Sequence, residues 1–141
     1  MSEMNLGIIG GGQLGSLLSV AAKKLNIKTT IYCNDIEAPA QNFCDDFIFG
    51  EYDNKEKIIE FAKKVDVITY EFENIPYEAL NEMNKLKSVL PKPSVNRLIQ
   101  HRLAEKDFIN KLNIRTTRYT SIEKKSDLET LEDFLPGILK T

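Results

Sequence analysis

The chain has 141 residues, 42% of them hydrophobic, with 19 basic against 21 acidic side chains and a net charge of −2. That is an ordinary globular balance for roughly one domain, and it argues against wholesale disorder. The charges are interspersed, so no basic stripe points to nucleic acid or an anionic membrane. Apolar runs fall far short of the ~20 residues that a bilayer span needs. Two cysteines, Cys33 and Cys44, fit neither a disulfide framework nor metal-ligand spacing, and a single histidine leaves too few ligands for a protein-built zinc site. Met1-Ser2-Glu3-Met4-Asn5 lacks the positive region and cleavage site of a signal peptide. Together these features predict a soluble, cytoplasmic protein.

Residues 6–9 form a short apolar run that leads straight into Gly10, Gly11, Gly12 and Gly15. Over 13–25, Leu14, Leu17, Leu18, Ala21, Ala22 and Leu25 recur at spacings of three and four, which predicts a helix with these as its apolar face. Lys23 and Lys24 then fall in its last turn, where the dipole favours cations. Residues 28–33, rich in β-branched and aromatic side chains, predict a second strand, and 47–49 a third, closed by Gly50. An amphipathic helix follows over 54–64 with Ile58, Ile59 and Ala62 inside. A fourth strand over 67–70, a helix over 76–86 and a short fifth strand over 88–90 complete the alternation. Strands alternating with helices require crossovers, hence an open parallel α/β sheet with helices on both faces.

Pro91 and Pro93, two apart, exclude regular structure and set the expected division between a domain over 1–93 and a second part over 94–141. Beyond them, 96–112 reads as one long helix, 116–120 as a strand and 126–135 as a helix. Residues 137–141 read as the start of a buried strand, and this ending suggests a fragment of a longer protein.

Gly10, Gly12 and Gly15 fit G-x-G-x-x-G between a strand and a helix. Glycines there allow a tight turn and close ligand approach, and free amides at the helix start favour an anion such as phosphate. The same glycines can equally serve helix–strand packing alone. Asp35 lies near the end of the second strand, where a dinucleotide site wants an acid, so an NAD(P)-binding module stands as an alternative.

Glu71 and Glu73 follow the fourth strand, at the sheet edge where open α/β folds bind ligands. If that strand persists, side chains two apart share a face and both carboxylates can meet one ligand. Alternatively the segment is a solvated loop in which Asn74 caps the next helix. Arg102 and Lys106, one helical turn apart, can meet a phosphate together or form an ordinary surface pair. Lys140, inside an otherwise apolar strand, needs an anionic partner. His101 reads as a helix-surface residue, and the two cysteines as small buried hydrophobes.

Three stretches carry a resemblance: Gly10-Gly11-Gly12-Gln13-Leu14-Gly15, Asp35 with Ala38-Pro39-Ala40, and Thr69-Tyr70-Glu71-Phe72-Glu73-Asn74-Ile75-Pro76. They resemble the N5-carboxyaminoimidazole ribonucleotide synthetase family, ATP-grasp ligases of purine biosynthesis. Gln100-His101-Arg102-Leu103-Ala104-Glu105-Lys106 and Leu135-Pro136-Gly137-Ile138-Leu139-Lys140-Thr141 resemble its next two signatures in the right order, so the resemblance covers the whole chain.

The resemblance implies a Rossmann-like pre-ATP-grasp domain followed by the beginning of an ATP-grasp domain. It also implies a reaction: ATP phosphorylates bicarbonate to carboxyphosphate, which then carboxylates 5-aminoimidazole ribonucleotide. By carry-over, Arg102 and Lys140 bind ATP, and Gly12, Gln13, Leu14, Glu71, Glu73 and Asn74 bind the ribonucleotide. No catalytic residue or metal ligand is expected within the chain; the Mg²⁺ ligands and the nucleotide-covering loop are expected beyond Thr141, and the fragment alone is expected to be inactive. The family further implies a homodimer for the full-length protein, with neither nucleic acid nor membrane as partner. His101 stands where the family usually has Asp, and Ser16 where it usually has a basic residue. A formate-dependent glycinamide ribonucleotide transformylase of the same superfamily is the other enzyme alternative.

Overall fold

Four short strands form one parallel sheet: β1 (Asn5–Ile9), β2 (Lys28–Cys33), β3 (Asp46–Phe49) and β4 (Val67–Tyr70), in the order β3-β2-β1-β4. The computed structural model describes residues 4–140. Ile8 lies opposite Ile31 on one side and Thr69 on the other, and Ile31 lies opposite Phe47. Helix α1 (Gln13–Lys24) crosses from β1 to β2 and α2 (Lys55–Lys64) from β3 to β4, while a 3₁₀ turn lies between β2 and β3; α3 (Tyr77–Leu86), α4 (Pro93–Ile99) and α5 (Arg102–Lys111) follow β4. The open parallel α/β sheet is as expected from the alternation.

Side chains alternate across the sheet, so each strand feeds two cores. Ile9, Tyr32, Ile48 and Ile68 meet Ile58, Phe61 and Ala62 of α2 and Ala79, Leu80 and Met83 of α3. On the opposite face Ile8, Ile31 and Cys33 meet Ala38 and Ala40, beside a 3₁₀ turn at Pro39–Asn42 that packs with α1.

The buried face of α1 corrects the sequence expectation. Gly15, Ser16, Ser19 and Ala22 face inward, while Leu14, Leu17 and Leu25 are 56%, 58% and 70% exposed. Close approach decides this: a Cβ on Gly15 would stand 2.6 Å from the Gly10 carbonyl oxygen, so only the small-residue face can lie against the loop. The two serines are tolerated inside because their hydroxyls donate to the carbonyls of Gly12 and Gly15, both at 3.0 Å. On α2, Phe61 takes the inward place expected of Ile59, which is 40% exposed. Asn54 caps that helix, its side chain accepting from the Lys57 amide at 3.1 Å.

Three further expectations change after Leu86. The fifth strand reduces to one bridge, Val89 beside Ile68, because Pro91 offers no N–H for a further rung. Pro93 opens α4 instead of excluding structure, since the first helical position needs no amide donor. The long helix breaks in two at His101, whose extended backbone caps α5 while its Nδ1 accepts from the Ala104 amide at 3.3 Å. His101 is therefore a cap and not a mid-helix surface residue.

The chain divides after Gln100 into two compact units, so the first one extends past Pro93 to include α4. In the second unit α5 buries none of its residues. The helix expected over 126–135 is replaced by 3₁₀ turns at Lys125–Thr130 and Glu132–Phe134. Among the described residues, 116–120 and 137–140 carry no regular structure, for want of a neighbouring strand to satisfy their backbone groups. Thr141 lies outside the described residues.

Candidate functional site

After β1 the chain builds β2 and β3 on one side of the sheet and then places β4 on the other. The carboxyl ends of β1 and β4 therefore flank the point where the strand order reverses, and open α/β sheets form their ligand crevice there. With Ile9 opposite Tyr70, the glycine loop and Glu71 leave the sheet side by side.

Glu71 turns its carboxylate into the loop. Oε1 accepts from the Gly12 amide at 2.9 Å and Oε2 from the Gly15 amide at 2.5 Å, while its own amide donates to the Ile9 carbonyl at 3.2 Å. The anion that free amides at a helix start attract is thus supplied by the protein itself. Gly10 adopts φ +107°, and a Cβ there would lie 2.5 Å from Glu71 Cγ. One on Gly11 would lie 2.5 Å from the Ala38 methyl. The motif glycines make room for a carboxylate and for packing.

The two acids do not share a face as expected for a continuing strand. β4 stops at Tyr70, Glu71 folds back, and Glu73 and Asn74 stand exposed on the turn that follows. Nor does Asn74 cap the next helix: Pro76 occupies the N-cap of α3, with no side-chain cap bond. Gln13 and Leu14 lie exposed at the start of α1 beside Gly12, so the structure places these three with Glu71, Glu73 and Asn74 at the carboxyl edge of the sheet. Asp35 is exposed in a turn after β2, its Oδ1 accepting from the Glu37 amide at 2.9 Å. With Glu71 on the loop amides, the dinucleotide alternative loses the seat its pyrophosphate would need.

Beneath this edge lies an aromatic row. Tyr32 and Tyr52 have ring centroids 6.0 Å apart, and Tyr52 and Phe72 6.5 Å. Tyr32 donates its hydroxyl to the Glu51 carbonyl at 2.6 Å. Burial, with the charges of Glu51 and Asp53, pushes its pKa up to about 12, and burial raises that of Tyr52 further. The folded state therefore favours the neutral phenol. Its contribution is complete below the ordinary tyrosine value near pH 10 and is lost as pH rises toward 12, a loss of at most about 2–3 kcal/mol. Urea denaturation at pH 8 and pH 11 should show about half of that fall from Tyr32, and Tyr32→Phe should remove this share while the share of Tyr52 persists.

Arg102 and Lys106 do not form a joint phosphate clamp. Arg102 pairs with Glu105 at 2.9 Å, whereas Lys106 donates to Thr117 Oγ1 at 2.8 Å. Lys140 is exposed in a segment without regular structure, so the demand for a buried anionic partner does not arise. Ser16 donates inward, away from solvent. Among the described residues, no group of three or more His, Cys, Asp or Glu side chains could hold a metal ion. No helix among them is long and apolar enough to cross a membrane.

Sequence reasoning missed two residues of this region. Asn96 and Gln100 of the α4 segment donate to backbone carbonyls of the turn that carries Glu73 and Asn74. Gln100 lay within a stretch that carried the family resemblance, while Asn96 gave no signal, being one polar residue in an otherwise unremarkable helix.

Residues 3–100 match the ribonucleotide synthetase preATP-grasp domain family. The chain belongs to that family. It is 38% identical over 138 residues to a bifunctional purine synthesis protein of Dictyostelium discoideum, covering 96% of this chain and 14% of that protein. It is also 38% identical over 126 residues to the N5-carboxyaminoimidazole ribonucleotide synthase of Brucella melitensis, covering 89% of this chain and 34% of the relative. The N5-carboxyaminoimidazole synthase of Aspergillus clavatus, in complex with ADP and 5-aminoimidazole ribonucleotide, superposes with a TM-score of 0.82 at 27% identity, covering 95% of this chain and 36% of that one. This pre-ATP-grasp chain thus spans only between 14% and 36% of the length of these relatives. The glycine loop of the pre-ATP-grasp domain, read alone, suggested a dinucleotide; neither the seated Glu71 nor these relatives favour that alternative.

Proposed function

We propose that this chain is part of an ATP-dependent ligase that carboxylates 5-aminoimidazole ribonucleotide with bicarbonate. The observation that carries the reading is the half-buried Gly12 with the exposed Gln13, Leu14, Glu73 and Asn74 at the switch point, in a fold shared with a synthase that holds the ribonucleotide. Bicarbonate oxygen attacks the γ-phosphorus of ATP, releasing ADP and forming carboxyphosphate. The exocyclic amine then attacks the carboxyl carbon, expels phosphate and loses a proton. Glu73 and Asn74 have the chemistry to hold the amine and ribose hydroxyls, and Glu71 serves by holding the loop that carries Gly12, Gln13 and Leu14. Arg102 and Lys140 are exposed cations suited to ATP phosphates, where they offset charge as the phosphoryl group transfers.

In this reading the first unit is the pre-ATP-grasp domain and the residues after it begin an ATP-grasp domain. The Mg²⁺ ligands belong to other parts of the longer protein, which works in the cytoplasm as a homodimer. The carboxylating names of the relatives favour bicarbonate over formate.

The test is ADP release by the protein extended to its natural length, given Mg-ATP. Release that requires both bicarbonate and 5-aminoimidazole ribonucleotide supports the reading. Release with formate and glycinamide ribonucleotide, or with neither pair, overturns it. In the same protein, Glu73→Gln should raise KM for the ribonucleotide about tenfold and leave KM for ATP within about twofold, since a charged hydrogen bond is worth that order. Lys140→Ala should show the reverse pattern.

A further inference from the structure

The turn between β4 and α3 carries Glu73 and Asn74 yet has little of its own to hold it. Its residues lie outside the sheet ladder, and Pro76 at the N-cap of α3 supplies no side-chain oxygen. Its restraints come from α4 and the residue that ends it. Gln100 Nε2 donates to the Glu73 carbonyl at 2.6 Å and to the Ile75 carbonyl at 2.7 Å. Asn96 Nδ2 donates to the Ile75 carbonyl at 3.1 Å. A primary amide has two N–H donors, and Gln100 places them on the carbonyls that flank Asn74. Asn96 and Gln100 are four apart, so both amides project from one side of the helix. Asn96 is fully buried, and its Oδ1 has no partner among the described residues, although an unsatisfied buried acceptor is costly. The fold tolerates that cost while the other end of the same amide anchors the turn, and the Ile75 side chain is fully buried beneath it.

We infer that Gln100, backed by Asn96, is a positioning residue for ribonucleotide binding: it clamps the backbone on both sides of Asn74 and so presents Glu73 and Asn74 from one fixed turn. This rests on the reading that those two side chains meet the ribonucleotide. Gln100 itself touches no reacting atom. Its effect appears in KM for the ribonucleotide and in the mobility of the turn, and leaves the use of ATP unchanged.

The experiment compares Gln100→Ala and Gln100→Glu with the unmodified full-length protein. Gln100 is largely exposed, so the alanine variant keeps the core intact, while the glutamate sets acceptors against both carbonyls. Two readouts are taken: amide hydrogen exchange in peptides spanning 71–77, with peptides from β1 as internal reference, and steady-state kinetics with each substrate varied. The expected result is exchange at least about tenfold faster in 71–77 with β1 unchanged, and KM for 5-aminoimidazole ribonucleotide raised about tenfold at unchanged KM for ATP. The glutamate variant should exceed the alanine variant in both. Unchanged exchange overturns the clamp whatever the kinetics. Faster exchange without a change in ribonucleotide KM, or with an equal change in ATP KM, overturns its positioning role. Should the unmodified protein show no dependence on the ribonucleotide, the functional reading falls with the positioning role, and exchange alone decides whether the clamp exists.

Discussion

Gly10→Ala is expected to destabilise the first unit by about 3–5 kcal/mol, a large effect for the addition of one methyl group. Two costs combine. The backbone at residue 10 sits at φ +107°, where an L side chain is strained by about 1–3 kcal/mol. The new Cβ would also stand 2.5 Å from Glu71 Cγ and 2.6 Å from Oε1, so the carboxylate must leave the Gly12 and Gly15 amides. Losing hydrogen bonds to a charged group adds about 1.5–3 kcal/mol. Urea denaturation measures the sum, and a double-mutant cycle separates the parts. With Glu71→Ala already present, Gly10→Ala should cost only the backbone share. An equal cost in both backgrounds would show that the glycine is there for the backbone alone and that Glu71 does not depend on it.

Phe61→Ala is expected to cost about 3–5 kcal/mol through lost burial and the cavity left behind. The ring is fully buried, 5.4 Å by centroid from Tyr32, and fills the space above β1 left by Gly7, where a Cβ would meet it at 2.7 Å. Gly7→Ala should therefore be harmful with Phe61 present and better tolerated once the ring is gone. Leu17→Ala makes the contrast. Its side chain is 58% exposed, so its loss should change stability by less than about 0.5 kcal/mol. Comparable losses at positions 17 and 61 would mean that the leucine face of α1 is covered in solution.

That contrast marks where pattern reading reaches its end. Along α1 two faces satisfy helical spacing, one of leucines and one of Gly15, Ser16, Ser19 and Ala22. Hydrophobicity points to the first. The sheet takes the second, because Gly15 must lie against the Gly10 carbonyl and a serine can satisfy its hydroxyl within its own helix. From Asn96 onward, spacing suggested one long helix, two strands and another helix. Regular structure there needs partners to bury its apolar face and pair its backbone, and α5 buries nothing.

Local chemistry was enough to determine the four strands, the first three helices and the parallel sheet, because β-branched runs, glycine turns and apolar periodicity are properties of neighbouring residues. The family was legible too, in the glycine loop and the Tyr70-Glu71-Phe72-Glu73-Asn74-Ile75-Pro76 stretch. What the glycines accommodate was decided only in three dimensions. Glu71, 59 residues from Gly12 along the chain, reaches these amides because β4 pairs with β1, and no local pattern encodes that pairing. The hold of Gln100 on Glu73 and Ile75 arises in the same way, from the packing of α4 beside α3, which brings together groups that the sequence keeps apart.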